Sequence, residues 1–450
     1  MSGEWQDLWG WGRTAPTRAR VVRVGEDEVA EQIAAADRRG ILTRGLGRSY
    51  GDAAQNAGGV VLHLADRAPE LAADGRSVRV SGATSLHDLM AFLLPLGRFV
   101  GVTPGTRYVT VGGAIACDIH GKNHHVSGSF SDHVRSFDLI DGTGQLRTVT
   151  KADDPQAFNA TAGGMGLTGV ITSAVLDVIE VDSGWMRVTT ERLPSARHVM
   201  ERIQQTDSET TYSVAWIDTL ARGASLGRSV LTLGEHARAE DLDGKSAKNR
   251  WVTPGGPLVS APPWLPRGLV SLPTITAFNE LWFRKAPRHR EGEIQSISAF
   301  FHPLDGVGGW NRMYGATGMV QYQFVVPDGA EATLLAALEL IAAERNPSFL
   351  AVLKRFGPGN DGYLSFPMQG WTLALDMPAK ARLAPMFAKL DQMVVGAGGR
   401  LYLAKDSRMD ADLLRQMYPR LPEFLAARDR LDPERVFVSD LSRRLELDRN

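Results

Sequence analysis

One cysteine, Cys117, stands in 450 residues. No disulfide can form within the chain, and no thiolate cluster can hold a metal. An excess of one charge is also missing: 50 Lys and Arg face 51 Asp and Glu, for a net charge of −1. General binding to nucleic acid would need a strong basic excess. Long apolar runs are lacking. The nearest, LMAFLLPLGRFVGV at 89–102, is broken by Pro95, Gly97 and Arg98, whereas a spanning helix needs about 20 apolar residues. The first residues, MSGEWQDLWGWGRTAPTRAR, lack a signal peptide's apolar core. The expectation is a protein without a signal peptide or transmembrane helix, in the cytoplasm or peripheral at a membrane, with the periplasm left open. Fixed-period repeats and low-complexity tracts are missing too.

Glycine, by contrast, is abundant. The chain has 47, where average usage of about 7% gives roughly 32. Proline, at 23, is ordinary, so the excess does not read as collagen or disorder. The length predicts two or three domains, at about 150 residues each.

Residues 20–62 read as strand, helix, strand, loop, strand. Residues 134–150, VRSFDLIDGTGQLRTVT, read as a hairpin turning at DGTG. Residues 185–400 mix strands (TYSVAWID, VQYQFVVP, GWTLALDMP) with helices, as expected for an antiparallel sheet backed by helices. Residues 250–290 are rich in Pro, Gly and Trp without a clean period, and read as a long irregular loop. The last 50 residues read as one strand, one helix and a tail.

The surplus glycines are concentrated. Segments 44–59, 101–128 and 163–169 hold 15 of them, where average usage predicts roughly four. The first segment is Arg44-Gly45-Leu46-Gly47-Arg48-Ser49-Tyr50-Gly51-Asp52, directly after a strand. Successive N–H groups in such a loop form an anion-binding nest. In the second, Gly112-Gly113 could present backbone amides to a pyrophosphate. The third is GGMGLTGVI. A single loop of this kind is most often a tight turn; three beside strands favour a large phosphate-bearing cofactor. None fits the dinucleotide fingerprint or the P-loop.

The order RGLGRSYGD, PGTRYVTVGGAIACDIHGKNHH, a hairpin, then GGMGLTGVI resembles the FAD-binding domain of the vanillyl-alcohol oxidase and p-cresol methylhydroxylase superfamily. Within it, DIHGKNHH, KRFGPGN and LYLAKDSR resemble the flavoproteins that oxidise decaprenylphosphoryl-β-D-ribose. The likeness runs from about Trp11 to the C-terminal SDLSRRLEL. It implies an α+β, two-domain PCMH-type fold. Residues 1–183 would bind FAD, 184–399 would form an antiparallel-sheet-plus-helices substrate cap, and 400–450 would return to the FAD domain.

The resemblance also implies roles. Arg44 through Asp52 would cradle the pyrophosphate. Gly105, Thr110, Val111, Gly112, Gly113, Cys117, Asp118, Ile119 and His120 would serve the flavin and its phosphates, Ile171 the adenine side, and Tyr402 the flavin. FAD would be held noncovalently. Lys405 would be the site lysine, either stabilising reduced flavin as a cation or acting as base, and His120 the second candidate for proton transfer. Tyr50, Lys122, Trp216, Gln321, Gln323, Lys354, Thr372 and Ala374 would meet the substrate. Gln321 and Gln323 alternate in VQYQF and so share one face of a strand. The cluster of His120, His124 and His125 lacks the carboxylates of a metal motif, so no metal is expected. Well-known mycobacterial members of that family carry a Cys where this chain has Ala374, and usually an Asn where it has Thr372.

The implied reaction oxidises the 2′-hydroxyl of decaprenylphosphoryl-β-D-ribose to the 2′-keto sugar. A separate NADH-dependent short-chain reductase would complete epimerisation to the arabinose lipid for cell-wall arabinan. Two other readings stay open at this point: an alditol or aldonolactone oxidase of the same superfamily, and a non-catalytic flavin-binding protein.

Overall fold

The structure is a computed structural model, and it describes residues 3–262, 264–265 and 269–448. Two small sheets precede one large one. The first has strand order Glu4–Leu8, Thr17–Val24, Val60–Leu64, Ile41–Thr43, with parallel pairing in its second half. The second is antiparallel and centres on the long strand Val170–Glu180, which pairs with Ser77–Ser81, Arg98–Val100 and Val134–Ile140. The expected hairpin is there, joining Val134–Ile140 to Leu146–Thr150.

The third sheet has eight antiparallel strands, in the order His289–Ser296, Trp185–Leu193, Ser229–His236, Tyr212–Ile217, Ala351–Phe356, Gly370–Pro378, Met319–Pro327, Arg400–Leu401. Alternation gives it two different faces. Ala215, Leu231, Leu353, Leu373 and Phe324 point into a core shared with the helices Ala196–Thr206, Glu331–Glu344 and Ala384–Gly396. Their neighbours Trp216, Val230, Lys354, Ala374 and Gln323 point the other way and line a large cavity.

The C-terminal residues leave that sheet after Leu401. The helix Leu421–Leu431 packs on Pro155–Thr161. Phe437 bridges to Ile41, and Arg444 forks onto Asp52 at 2.7 and 2.8 Å. This segment holds three helices, Ala411–Met417, Leu421–Leu431 and Asp440–Arg444, rather than the single one expected. Each is short, so none carries a long apolar period.

The reading of 250–290 as irregular also needs correction. Leu272–Lys285 is a helix, with Pro273 in its first turn and a Ser271–Thr274 capping box. Its apolar Ile275, Phe278 and Trp282 do recur at helical spacing on one face, turned to the cavity, a period passed over amid the surrounding Pro, Gly and Trp. Pro263, Pro266, Arg267 and Gly268, part of the same expected loop, lie outside the described residues. The strand Glu4–Leu8 escaped the sequence reading because four of its five residues are exposed. No helix of the described residues is long and apolar enough to cross a membrane.

Candidate active site

The cavity between the glycine loops and the large sheet has a volume of about 1300 Å³. That exceeds the roughly 300–1,000 Å³ of a usual small-ligand pocket, leaving room for a cofactor and a substrate together.

The loop after Ile41–Thr43 forms one wall. The Arg44 guanidinium donates to the Trp9 carbonyl at 2.7 Å and to the Ala54 carbonyl, pinning the loop's start. Gly47 has φ +63°, and a Cβ on Gly45 would come within 2.3 Å of Thr110 Oγ1. Side chains are thus excluded where the backbone turns and packs. Among the described residues, the N–H groups of Gly45 through Ser49 have no protein acceptor. Five successive free amides beside a cavity form an anion nest. Arg48 stacks over Trp11 at 4.3 Å, and Ser49 Oγ lies 4.0 Å from Cys117 Sγ.

The second loop differs from expectation. The amides of Val111 and Gly112 donate to Thr84 and Gly82 carbonyls, and that of Gly113 to Thr110 Oγ1. They are not free for a pyrophosphate. Gly112 instead permits close packing, since its Cβ would lie 3.0 Å from the Gly82 oxygen. Gly105 is open: a Cβ there meets nothing within 4 Å, and the same holds at Gly166 in the third loop. Asp305, from the cap, accepts from Thr106 Oγ1 at 2.7 Å and Arg107 N at 2.8 Å, tying this loop down.

The chemical groups converge deeper in. The His120 ring packs on Phe356, Phe366 and Tyr402, with centroids 4.8, 5.5 and 5.2 Å away. Its Nε2 lies 3.0 Å from Gln323 Nε2, which donates to it. Its Nδ1 has no partner among the described residues. Burial, then the charge of Lys354, pushes its pKa well below the usual range, so the ring is neutral. Lys405 Nζ sits 4.0 Å over the Tyr50 ring. Lys122 Nζ donates to the Phe300 carbonyl and lies over that ring at 4.2 Å. Burial drops Lys122 and Lys354 to about 7, each helped by a neighbouring lysine. The same cause lowers Lys405. The fully buried Asp376, bonded by Gln321 Nε2, has its pKa raised by burial. Three lysines against one recessed carboxylate make this a pocket for anions.

Most of the expected residues meet at the cavity. Leu46, Ile119, Ile171, Tyr402, Trp216, Gln321 and Ala374 line it with those already described. Five do not. Gly51 abuts the Asp406 carbonyl, and Asp52 pairs with Arg444. Val111 is core. Thr372 donates to the Phe324 carbonyl. Asp118 bonds to Ser131, Asn360 and Ser365 behind the wall. His124 and His133 bond locally, to Ser129 and Ser127, whereas His125 reaches the distant Thr210 carbonyl. The sequence reading missed Trp11, Asp305 and Asp376. The glycines flanking Trp11 were its signal, and Asp376 stands two residues from Ala374 on the same face.

The free amides, the open Cβ positions and the cationic interior fit FAD. Comparison with known proteins agrees. An FAD binding domain family matches residues 19–150, and the D-arabinono-1,4-lactone oxidase family matches residues 370–445. A decaprenylphosphoryl-beta-D-ribose oxidase of Mycolicibacterium smegmatis is 42% identical over 98% of this chain and 97% of its own length. An uncharacterised protein in the mprA 5′ region of Streptomyces coelicolor is 39% identical over 81% of this chain and 100% of its own. An L-gulono-1,4-lactone dehydrogenase of Mycobacterium tuberculosis is 23% identical over 99% of both chains.

Fold, cavity and matches together define an FAD-dependent oxidoreductase with a sheet-built cap. Within that class, the chain belongs to the decaprenylphosphoryl-beta-D-ribose oxidase family.

Proposed function

We propose that this enzyme oxidises the 2′-hydroxyl of decaprenylphosphoryl-β-D-ribose, or a close polyprenyl-phosphate pentose, to the 2′-ketone. The observation that carries the reading is the 42% identity to such an oxidase across the whole chain. The anion-seeking lysines of the cavity support it. Segments 1–183 and 400–450 hold the cofactor, and 184–399 supplies the substrate side.

Bound FAD supplies the hydride acceptor for the C2′–H bond. The chain's own residues do the rest. His120, neutral and accepting at Nε2 from Gln323, takes the proton of the 2′-hydroxyl at that nitrogen, the hydroxyl displacing the Gln323 amide as the C=O bond forms. Lys405 supplies positive charge where negative charge develops. Lys122 and Lys354 meet phosphate or sugar oxygens, and Gln323 orients His120 through its 3.0 Å contact. The apolar rings around His120 exclude water from that proton.

The 2′-ketone requires a reductase to complete epimerisation, and a short-chain NADH-dependent enzyme suits that step. The lipid tail suggests where the protein meets a membrane. Leu258, Val259, Trp264, Leu281 and Trp282 are exposed along 258–282, and Arg284 and Lys285 close the helix beside them. Aromatic and basic groups together suit a lipid–water interface. Vesicle flotation checks this: equal binding by wild type and by a Leu281→Asp, Trp282→Asp variant removes the membrane role.

A lactone or alditol oxidase is the second reading, favoured by the match of residues 370–445 to D-arabinono-1,4-lactone oxidase. Anaerobic bleaching of the bound flavin decides. Bleaching by decaprenylphosphoryl-ribose, with the keto product identified, supports the first reading. Bleaching only by free lactones or alditols supports the second. Bleaching by neither leaves a flavin-binding protein without catalysis.

A further inference from the structure

Asp118 belongs to a loop expected to serve the cofactor, yet it is fully buried and does not line the cavity. It ends the helix Val111–Ala116. Asp118 N donates to the Ile115 carbonyl at 2.9 Å and Ile119 N to the Ala114 carbonyl at 3.1 Å. Its φ is +38°, in the left-handed region where a helix usually ends on glycine or asparagine. Helix termination alone therefore does not call for a carboxylate here.

The carboxylate has another use. Its Oδ1 accepts from Ser131 N at 3.1 Å, within its own domain. Its Oδ2 accepts from Asn360 Nδ2 at 2.8 Å and from Ser365 Oγ, both on the cap segment 357–366. Asn360 Oδ1 in turn accepts from Gly362 N at 3.0 Å, so the turn arrives preformed. The next residue after Ser365 is Phe366, which packs on His120 and stacks on Tyr402 at 4.8 Å. Tyr402 returns a bond to the Cys117 carbonyl, 2.8 Å from its hydroxyl. One buried side chain thus joins the two sides of the structure two residues from His120.

We propose that Asp118 is a positioning residue: it clamps the cap segment 360–366 to the flavin-side loop and thereby fixes the His120 ring between Phe366, Tyr402 and Gln323. The inference rests on the proton-accepting role given to His120 above. It departs from a cofactor-contacting role for Asp118, because the carboxylate is spent on protein donors.

Three variants test it. Asp118→Gly keeps the left-handed backbone and removes the carboxylate. Asp118→Asn keeps the shape and turns one acceptor into a donor. Ser365→Ala breaks the clamp from the cap and leaves the loop intact, so it keeps the test open where the first two fold poorly. FAD affinity is read by flavin fluorescence. The His120 imidazole is read by ¹⁵N NMR of the FAD-loaded protein, assigned by the signal lost in His120→Gln. The expected result is FAD affinity within about threefold of wild type, a moved or broadened His120 resonance in all three variants, and kcat lowered about 100-fold with KM little changed, the usual scale for a small misplacement. A tenfold or greater loss of FAD affinity with His120 unmoved would overturn the clamp in favour of a cofactor role. An unmoved resonance with full kcat would overturn it outright. If His120→Gln keeps wild-type kcat, the proton-transfer reading fails instead, and the resonance still decides the clamp.

Discussion

On one side of the cavity the chain presents backbone, and on the other it presents side chains. The loop wall offers the free amides of Gly45 through Ser49 and the bare Cα positions of Gly105 and Gly166. The sheet wall offers Gln321, Gln323, Lys354 and Ala374, spaced by the pleat of antiparallel strands. The difference suits what each wall is proposed to hold. A phosphate-bearing cofactor common to many enzymes is held well by main-chain donors, which no side-chain substitution removes. A particular sugar is told apart by side chains, and a sheet lets these be exchanged singly without moving the frame. Changes on the sheet wall should therefore act on rate and substrate affinity, and changes on the loop wall on FAD.

Lys405 gives the sharpest contrast. It reaches the cavity from the C-terminal segment and sits over Tyr50. Removing a preorganised charge from developing negative charge costs about 10²–10³-fold in rate. Lys405→Met should slow anaerobic flavin reduction by that much while FAD still binds. Stopped-flow bleaching and a fluorescence titration measure the two separately. Loss of FAD with a normal rate in the reloaded enzyme would break the comparison.

Glycine substitutions probe the other wall. Gly45→Ala drives a Cβ to 2.3 Å from Thr110 Oγ1, so both FAD affinity and the melting temperature of the FAD-free protein should fall. Gly105→Ala meets nothing within 4 Å. It should leave the FAD-free melting temperature unchanged and weaken FAD by about tenfold, near 1.4 kcal/mol. Equal effects of the two on the FAD-free protein would show that Gly105 is not held open for a ligand.

The two walls were also unequally legible. A glycine loop is local in sequence, so RGLGRSYGD announced its nest before any fold was known. Locality misled at Gly112-Gly113, because carbonyls from 82 and 84, distant in sequence, claim the neighbouring amides. The sheet wall depends on register. VQYQF put Gln321 and Gln323 on one face, but only the pairing of Gln323 with Ala374 and of Gln321 with Asp376 brought the rest alongside. Asp376 left no local mark for that reason. The helix Leu272–Lys285 was passed over although Ile275, Phe278 and Trp282 share one face, because Pro, Gly and Trp crowd the residues before it.

The lysines allow a test by pH. Lys122 and Lys354 are held near 7 by burial, so each is charged below that pH and neutral above it. An anionic substrate prefers the charged form. Its KM should rise as pH passes through about 7, by up to roughly fiftyfold between pH 7 and 9 for each lysine the anion needs charged. The kcat should fall over the same window, since burial lowers Lys405 to about 8 and its charge is lost there, while His120 stays neutral throughout. A flat KM would remove both lysines from substrate binding and leave the sheet wall's polarity to its glutamines.

Ala374 carries the smallest expected effect and the clearest sign. It lies on the cavity face of Gly370–Pro378, paired with Gln323 on one side and Val352 on the other. Hydride transfer to FAD needs no thiolate, so the methyl group at this position costs the reaction nothing. Ala374→Cys adds one sulfur to a roomy cavity and should alter kcat by less than about threefold, within the usual scale of a mild surface-lining change. Its effect should appear instead in covalent chemistry. Wild type, whose Cys117 thiol is pushed up to about 11 by burial and is a poor nucleophile, should form no adduct at residue 374 with thiol-directed mechanism-based inhibitors. The Ala374→Cys protein should form one there, read by peptide mass spectrometry after turnover. An adduct on wild type at Cys117 would show that the loop wall, not the sheet wall, holds the reactive position.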